Sequence, residues 1–215
     1  MTKGSTRLMA TNDTSRTHRD LASLVAEIRQ CRLCAPAMPH DPRPVLQVSS
    51  TARVGIFGQA PGTRVHASGR PFTDPSGDRL RLWMGVDEAF FYDPACVAIV
   101  PMGFCFPGQN AKGADLPPRR ECADTWRAHL MDHLPHLDLI LLVGLYAQRW
   151  HLGAAARSTL TETVKNWREY GPRFLPMPHP SWRNNAWLKR NPWFEVEVIP
   201  ALRQRILAVD CDRGS

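Results

Sequence analysis

The sequence predicts an α/β domain, a parallel sheet with helices on both faces. Three observations carry this. Four short apolar runs, Arg53–Gly58, Cys96–Val100, Leu137–Gly144 and Phe174–Pro178, are separated by segments of helical pattern. At 215 residues with 43% hydrophobic content, the chain can bury one sizeable core. Gly58, Gly144 and Pro178 close three of these runs and Pro101 follows the fourth, so the chain turns where the strands stop.

The first helix is expected at Asp20–Gln30, capped by Asp20, with apolar residues at 21, 24, 25 and 28. A connector rich in proline follows (Pro36, Pro39, Pro42, Pro44). Further helices are expected at Gly77–Gly85, Pro118–Leu134, Tyr146–Leu152, Leu160–Tyr170 and Trp193–Val209. No internal repeat is visible. The expected division is one domain over residues 19–209, with tails at 1–18 and 210–215. Its longest apolar run, Leu137–Leu145 broken by Asp138, is too short to cross a bilayer. The first residues hold no apolar stretch of a secretory signal, so a reducing, cytoplasmic setting is expected. There, six cysteines serve as ligands or core residues sooner than as disulfides.

In parallel sheets of this kind, ligands bind beyond the carboxyl ends of the strands. That rule gathers three unusual segments at one rim: Gly58–Gly62, Pro101–Pro107 and the stretch after Pro178. Gly58 and Gly62 permit close backbone approach or positive φ, and Pro61 stiffens the turn between them. His179 stands between two prolines and before Ser181. Behind it, Trp182–Arg190 carries Arg183, Lys189 and Arg190 without an acid. The net charge of +7, from 27 basic and 20 acidic residues, suits a polyanionic partner bound through phosphate contacts. Aromatic residues among the basic ones suit base stacking. Cys31 and Cys34 form a CxxC pair, and Cys105 and Cys122 bracket a polar loop. Zinc, an iron–sulfur cluster and coincidence all remain open on spacing alone.

GQAPG, then GRPF after six residues, and HPS beyond the last strand together resemble the uracil-DNA glycosylase superfamily. The resemblance runs from about Leu24 to Ile206 and is closest to the branch with an amino-terminal cysteine pair, families 4 and 5. It implies a three-layer α/β/α domain around a four-stranded parallel sheet. It also implies hydrolysis of the N-glycosidic bond of uracil flipped out of DNA; the chain is expected to be a monomer that binds no membrane. Similar family members hold a structural [4Fe–4S] cluster on four cysteines, which places ligand roles on Cys31, Cys34, Cys105 and Cys122 and leaves Cys96 and Cys211 aside. Phe72 matches the aromatic that stacks on uracil, and His179 the histidine that donates toward O2 of the leaving anion. Gly58, Ala60, Pro61, Gly62 and Ser181 would surround the base, and Trp182 or Arg183 would fill the gap it leaves.

Two departures from the family pattern matter. Gln59-Ala60 supplies no carboxylate where one branch has aspartate and family 4 has glutamate. Asp74, just after the stacking aromatic as in family 5, is then the expected acid, with Gln59 as a water-placing amide and Asp78 as runner-up. Capping of a helix by Asp74 is the alternative role. Relatives also read the uracil edge with an asparagine four residues before the third cysteine, where this chain has Pro101. Backbone groups or another side chain, Asn110 in particular, are expected to replace it. The competing readings are a uracil-DNA binder that traps without turnover, and a zinc-stabilised nucleic-acid module. Trapping relatives carry a reactive histidine between the third and fourth cysteines, and Phe106–Glu121 contains none.

Overall fold

A computed structural model describes residues 20–211, and the predicted tail at 1–18 lies outside them. Four strands, β1 (Val54–Phe57), β2 (Val97–Ile99), β3 (Leu139–Val143) and β4 (Phe174–Met177), form one sheet in the order β2-β1-β3-β4. Every pairing is parallel, with Val54 opposite both Val97 and Leu139, and Ile140 opposite Phe174. The strands are buried nearly throughout, as a sheet covered on both faces requires, and this explains their unbroken apolar runs. Side-chain alternation divides the core. Val54, Ile56, Val97, Ile99, Leu141 and Met177 face one layer. Phe57, Ala98, Val100, Ile140 and Leu142 face the other.

The first layer holds α3 (Pro75–Met84), α4 (Glu88–Phe91), α7 (Leu160–Lys165) and α9 (Ile199–Leu207). The second holds α1 (Leu21–Gln30), α5 (Arg120–Asp132) and α6 (Leu145–Leu152). Local chemistry starts several of them as the sequence predicts. Asp20 caps α1 by accepting from the Ser23 N–H at 2.7 Å. Asp74 caps α3 with Pro75 in the first turn, and Gly85 ends it at φ 72°. The expected helix at 193–209 is a π turn (Phe194–Val198) leading into α9, and that at 160–170 is α7 followed by a 3₁₀ turn. Three short helices escape sequence reading: α2 (Thr63–Ser68), α4 and α8 (Asn185–Arg190).

Cys96 and Cys211, expected to take no ligand role, are joined as a disulfide with Cα atoms 5.2 Å apart, where core roles are expected first. The chain returns after α9 to the start of β2 and brings the two residues together. Part of the segment expected as a carboxyl-terminal tail is thereby attached to the domain. Among the described residues, no helix is long and apolar enough to cross a membrane.

His151 on α6 packs against Phe57 and Trp150, with ring centroids 4.7 and 4.6 Å away. Burial, reinforced by Arg127 and Arg173, pushes its pKa from 6.5 down to about 3. The unfolded imidazole takes a proton first as pH falls. Its contribution is therefore whole above the unfolded value and is lost progressively as pH falls from 6.5 toward about 3. Urea melts of the parent and His151→Phe should diverge over that window, the variant losing less stability on acidification. Parallel curves would show that His151 is not the group being protonated.

Candidate active site

The carboxyl ends of the strands open onto one cavity of about 610 Å³, a volume suited to a small organic ligand. β1 delivers Gly58–Gly62, β2 delivers Pro101, and β4 delivers His179 and Ser181. Tyr146 on α6 reaches it from β3, and the segment between α2 and α3 adds Phe72 and Asp74.

Phe72 is the one non-glycine residue with positive φ among those described, at 54°. A left-handed backbone costs roughly 1–3 kcal/mol and persists only when its surroundings hold it. Here the Tyr92 hydroxyl lies 2.9 and 3.0 Å from the carbonyl oxygens of Pro71 and Phe72. Gly77 completes the clamp, because any Cβ at 77 would overlap the Phe72 carbonyl. The Phe72 ring is fixed edge-on to Phe91 and within 26° of the His179 plane, 6.5 Å between centroids.

His179 Nδ1 accepts from the Ser181 N–H at 3.2 Å. An accepting Nδ1 requires the neutral tautomer with its proton on Nε2, which the sequence alone does not reveal. Burial lowers the pKa and so favours this neutral form, while Asp74 and then Asp115 act in the opposite sense. The Asn184 amide donates to the His179 carbonyl at 2.7 Å, and Arg79 on α3 donates to the Ser181 carbonyl and to Asn185 Oδ1 at 3.3 and 2.8 Å. The histidine segment is thus tied to the helix that Asp74 begins.

Asp74 both caps α3 and reaches the cavity. Its Oδ1 accepts from the Gly77 N–H at 3.2 Å, and the side chain lines the cavity. Asp78 does not line it; exposed, it pairs with Arg81 at 2.5 Å. Gln59 lines the cavity, but its amide lies over Gly144, where a Cβ would collide with it and where φ is 87°. Gly58 and Gly62 are not held at positive φ, contrary to one expectation. A Cβ at either would find ordinary contact with Phe72 or Asp115, so their smallness leaves room in the cavity.

Asn110 is not brought to the cavity. Its Oδ1 accepts from the N–H groups of Lys112 and Ala114 and closes a tight turn. Backbone at Pro101–Met102 is equally committed: the Pro101 carbonyl accepts from Arg127, and the Met102 N–H donates to Gly58. The residue sequence reasoning missed is Asp115. It lines the cavity beside Gly62, with Oδ1 held by the Gln109 amide at 3.0 Å. As a carboxylate it can only accept, which suits a base edge bearing N–H.

Trp182 is 69% exposed at the cavity mouth, with the Arg183 guanidinium 5.4 Å from its ring centre. Arg183 also donates to the Gly113 carbonyl at 3.1 Å, linking this segment to the turn that carries Asp115. Lys189 and Arg190 lie outside the cavity, exposed on α8.

Cys31, Cys34, Cys105 and Cys122 line a second, small cavity. Cys31 ends α1, Cys122 lies in the first turns of α5, and the Phe104 N–H donates to its sulfur at 3.4 Å. Burial, with the neighbouring cysteines adding to it, pushes the Cys105 thiol up to about 11 and Cys122 up to about 12. Among the described residues, no three His, Cys, Asp or Glu side chains converge as they would on a single metal ion.

A family model described as the uracil DNA glycosylase superfamily matches residues 46–203. That stretch runs from before β1 into α9 and takes in the whole sheet and every strand end that feeds the larger cavity. The parallel sheet, the GQAPG turn, the HPS segment and all of the rim cavity's lining except Val45 fall within the match, and the chain belongs to the uracil DNA glycosylase superfamily.

Proposed function

We propose that this protein is a DNA-repair glycosylase that hydrolyses the N-glycosidic bond of uracil flipped out of DNA and leaves an abasic site. The observation that carries the reading is the His179 tautomer, a neutral ring with Nε2–H available beside a clamped aromatic. A base stacked on Phe72 gains roughly 1–3 kcal/mol. As the bond between C1′ and the base breaks, the electron pair leaves with uracil, and the Nε2–H stabilises the anion at O2. Asp74 places negative charge toward the cationic sugar and orients the water that adds to C1′. Incubation with oligonucleotides carrying uracil, hypoxanthine or xanthine tests the reading. Release of free uracil supports it, and binding without release defeats it.

In this reading the chain belongs to the cysteine-pair branch, and Cys31, Cys34, Cys105 and Cys122 hold a structural [4Fe–4S] cluster. The donor set fits: four thiols around one cavity, with no imidazole or carboxylate among them. A cuboidal cluster takes one thiolate per iron, so its ligands surround a volume and need not meet at a point. The group supplies cross-linking, pinning the connector after α1 and the loop before α5 to the sheet. Cys105→Ala and Cys122→Ala should each yield colourless protein of lower melting temperature. Full iron content in both would refute the ligand assignment.

DNA binds across Trp182, Arg183, Lys189 and Arg190, with Trp182 or Arg183 as the wedge. Reversing the charge of the three basic residues should weaken binding and flatten its dependence on salt, by about one unit of slope for each phosphate no longer neutralised. An unchanged slope would move the DNA surface elsewhere.

A further inference from the structure

Arg127 is a buried cation that the glycosylase reading does not use. It projects from α5 and is 1% exposed. Nη1 and Nη2 donate to the Val100 carbonyl at 3.2 Å, and Nη2 donates to the Pro101 carbonyl as well. The ring centres of Phe57 and Trp150 lie 5.1 and 5.8 Å from its Cζ. None of the ion pairs among the described residues involves it, and its Nε is buried without a hydrogen-bond partner. Burial lowers its pKa to about 9, so the group remains charged at neutral pH. Cys122 is the one ionisable group that acts on it; otherwise carbonyl oxygens and ring faces hold the buried charge, and such a charge is costly to keep. An apolar side chain could fill the same space between Phe57 and Trp150.

Its position suggests its use. Pro101 lines the cavity, and its carbonyl is turned toward the guanidinium. The next two N–H groups, of Met102 and Gly103, donate to Gly58 and Gln59 at 2.9 Å each. One cation therefore fixes the inner wall and, through that wall, the turn on the other side of the base. It also puts positive charge one peptide behind the cavity, in apolar surroundings where a charge acts over a longer range than in water.

We propose that Arg127 is a positioning residue of the glycosylase site, holding the Pro101 wall in register and biasing the cavity toward the anionic leaving base. This rests on the glycosylase reading above. The anion forms only as the glycosidic bond breaks, so the bias acts on the transition state more than on bound substrate.

The test compares the parent with Arg127→Lys and Arg127→Met in single-turnover cleavage of oligonucleotides carrying uracil or 5-fluorouracil. Fluorine withdraws electrons and stabilises the departing anion without help from the protein. Arg127→Met should slow uracil release by ~10- to 10²-fold, with little change in substrate affinity and a clearly smaller loss on 5-fluorouracil. Arg127→Lys keeps the charge and should retain the parent's ratio of the two rates, even if both fall. Equal losses on the two bases in Arg127→Met, or a lysine variant with the methionine variant's ratio, would overturn the proposal. Calorimetric titration with free 5-fluorouracil supplies a readout without turnover. The parent should bind it more tightly as pH rises through its ionisation, and Arg127→Met should lose that gain. A methionine variant that keeps the gain overturns the proposal. If the parent cleaves neither oligonucleotide, the glycosylase reading fails, and this titration still decides for or against Arg127. Should Arg127→Met not fold, the lysine variant carries both measurements.

Discussion

Asp74→Asn should slow single-turnover cleavage of a uracil oligonucleotide by ~10²-fold or more while leaving DNA binding nearly intact, the scale of one positioned electrostatic group. The substitution isolates charge from structure. Asp74 caps α3 through a single accepted N–H, that of Gly77, and asparagine caps helices about as well as aspartate. Folding should therefore survive, and melting temperature checks that it has. Among neighbouring charges, Asp74 acts most strongly on His179, which places the carboxylate where a developing charge would feel it. Gln59→Ala should cost less, because the amide packs over Gly144 and brings no charge. Asp115→Asn completes the comparison. If it abolishes cleavage while Asp74→Asn retains the parental rate, the acid sits on the turn beside Gly62 and the assignment moves there.

His179→Ala should lose a similar ~10²-fold or more, since in the glycosylase reading it removes the donor to the leaving anion. The pH profile separates this from a packing defect. His179 must be neutral for Nδ1 to accept from Ser181, and burial holds its pKa below the ordinary 6.5. Activity should hold through neutral pH and fall only as acid protonates the ring below that ordinary value. The imidazole part of this acid limb should vanish in the alanine variant. An acid limb unchanged in His179→Ala would mean another group controls it.

Much of this architecture is legible in the chain. Strands buried on both faces need unbroken apolar runs, and Leu139–Val143 is one; such a run bounded by turns reads as a strand without alignment. The short helices escape the sequence for a physical reason. α4 has four residues and α2 six, too few for a period to emerge, and α2 has no side-chain cap at its start. Asp115 and Asn110 show where the site itself outruns sequence. Both are polar residues of one loop, and only the bridge between Gln109 and Asp115 decides which faces the cavity. Arg127 looks like any basic residue in a helix until β2 is packed over it. The link between Cys96 and Cys211 spans 115 residues, and no spacing rule foretells it.

In the glycosylase reading the bonds from Arg79 have a mechanical meaning. α3 carries Asp74 at its head, and little more than one turn later Arg79 grips the carbonyl of Ser181 and the amide of Asn185. Acid and histidine, 105 positions apart by their residue numbers, are therefore mounted on one short bracket. One helical turn and the Arg79 bridge thus link them directly, besides the long loops on either side. In the glycosylase reading, acid and histidine would then move together against the DNA.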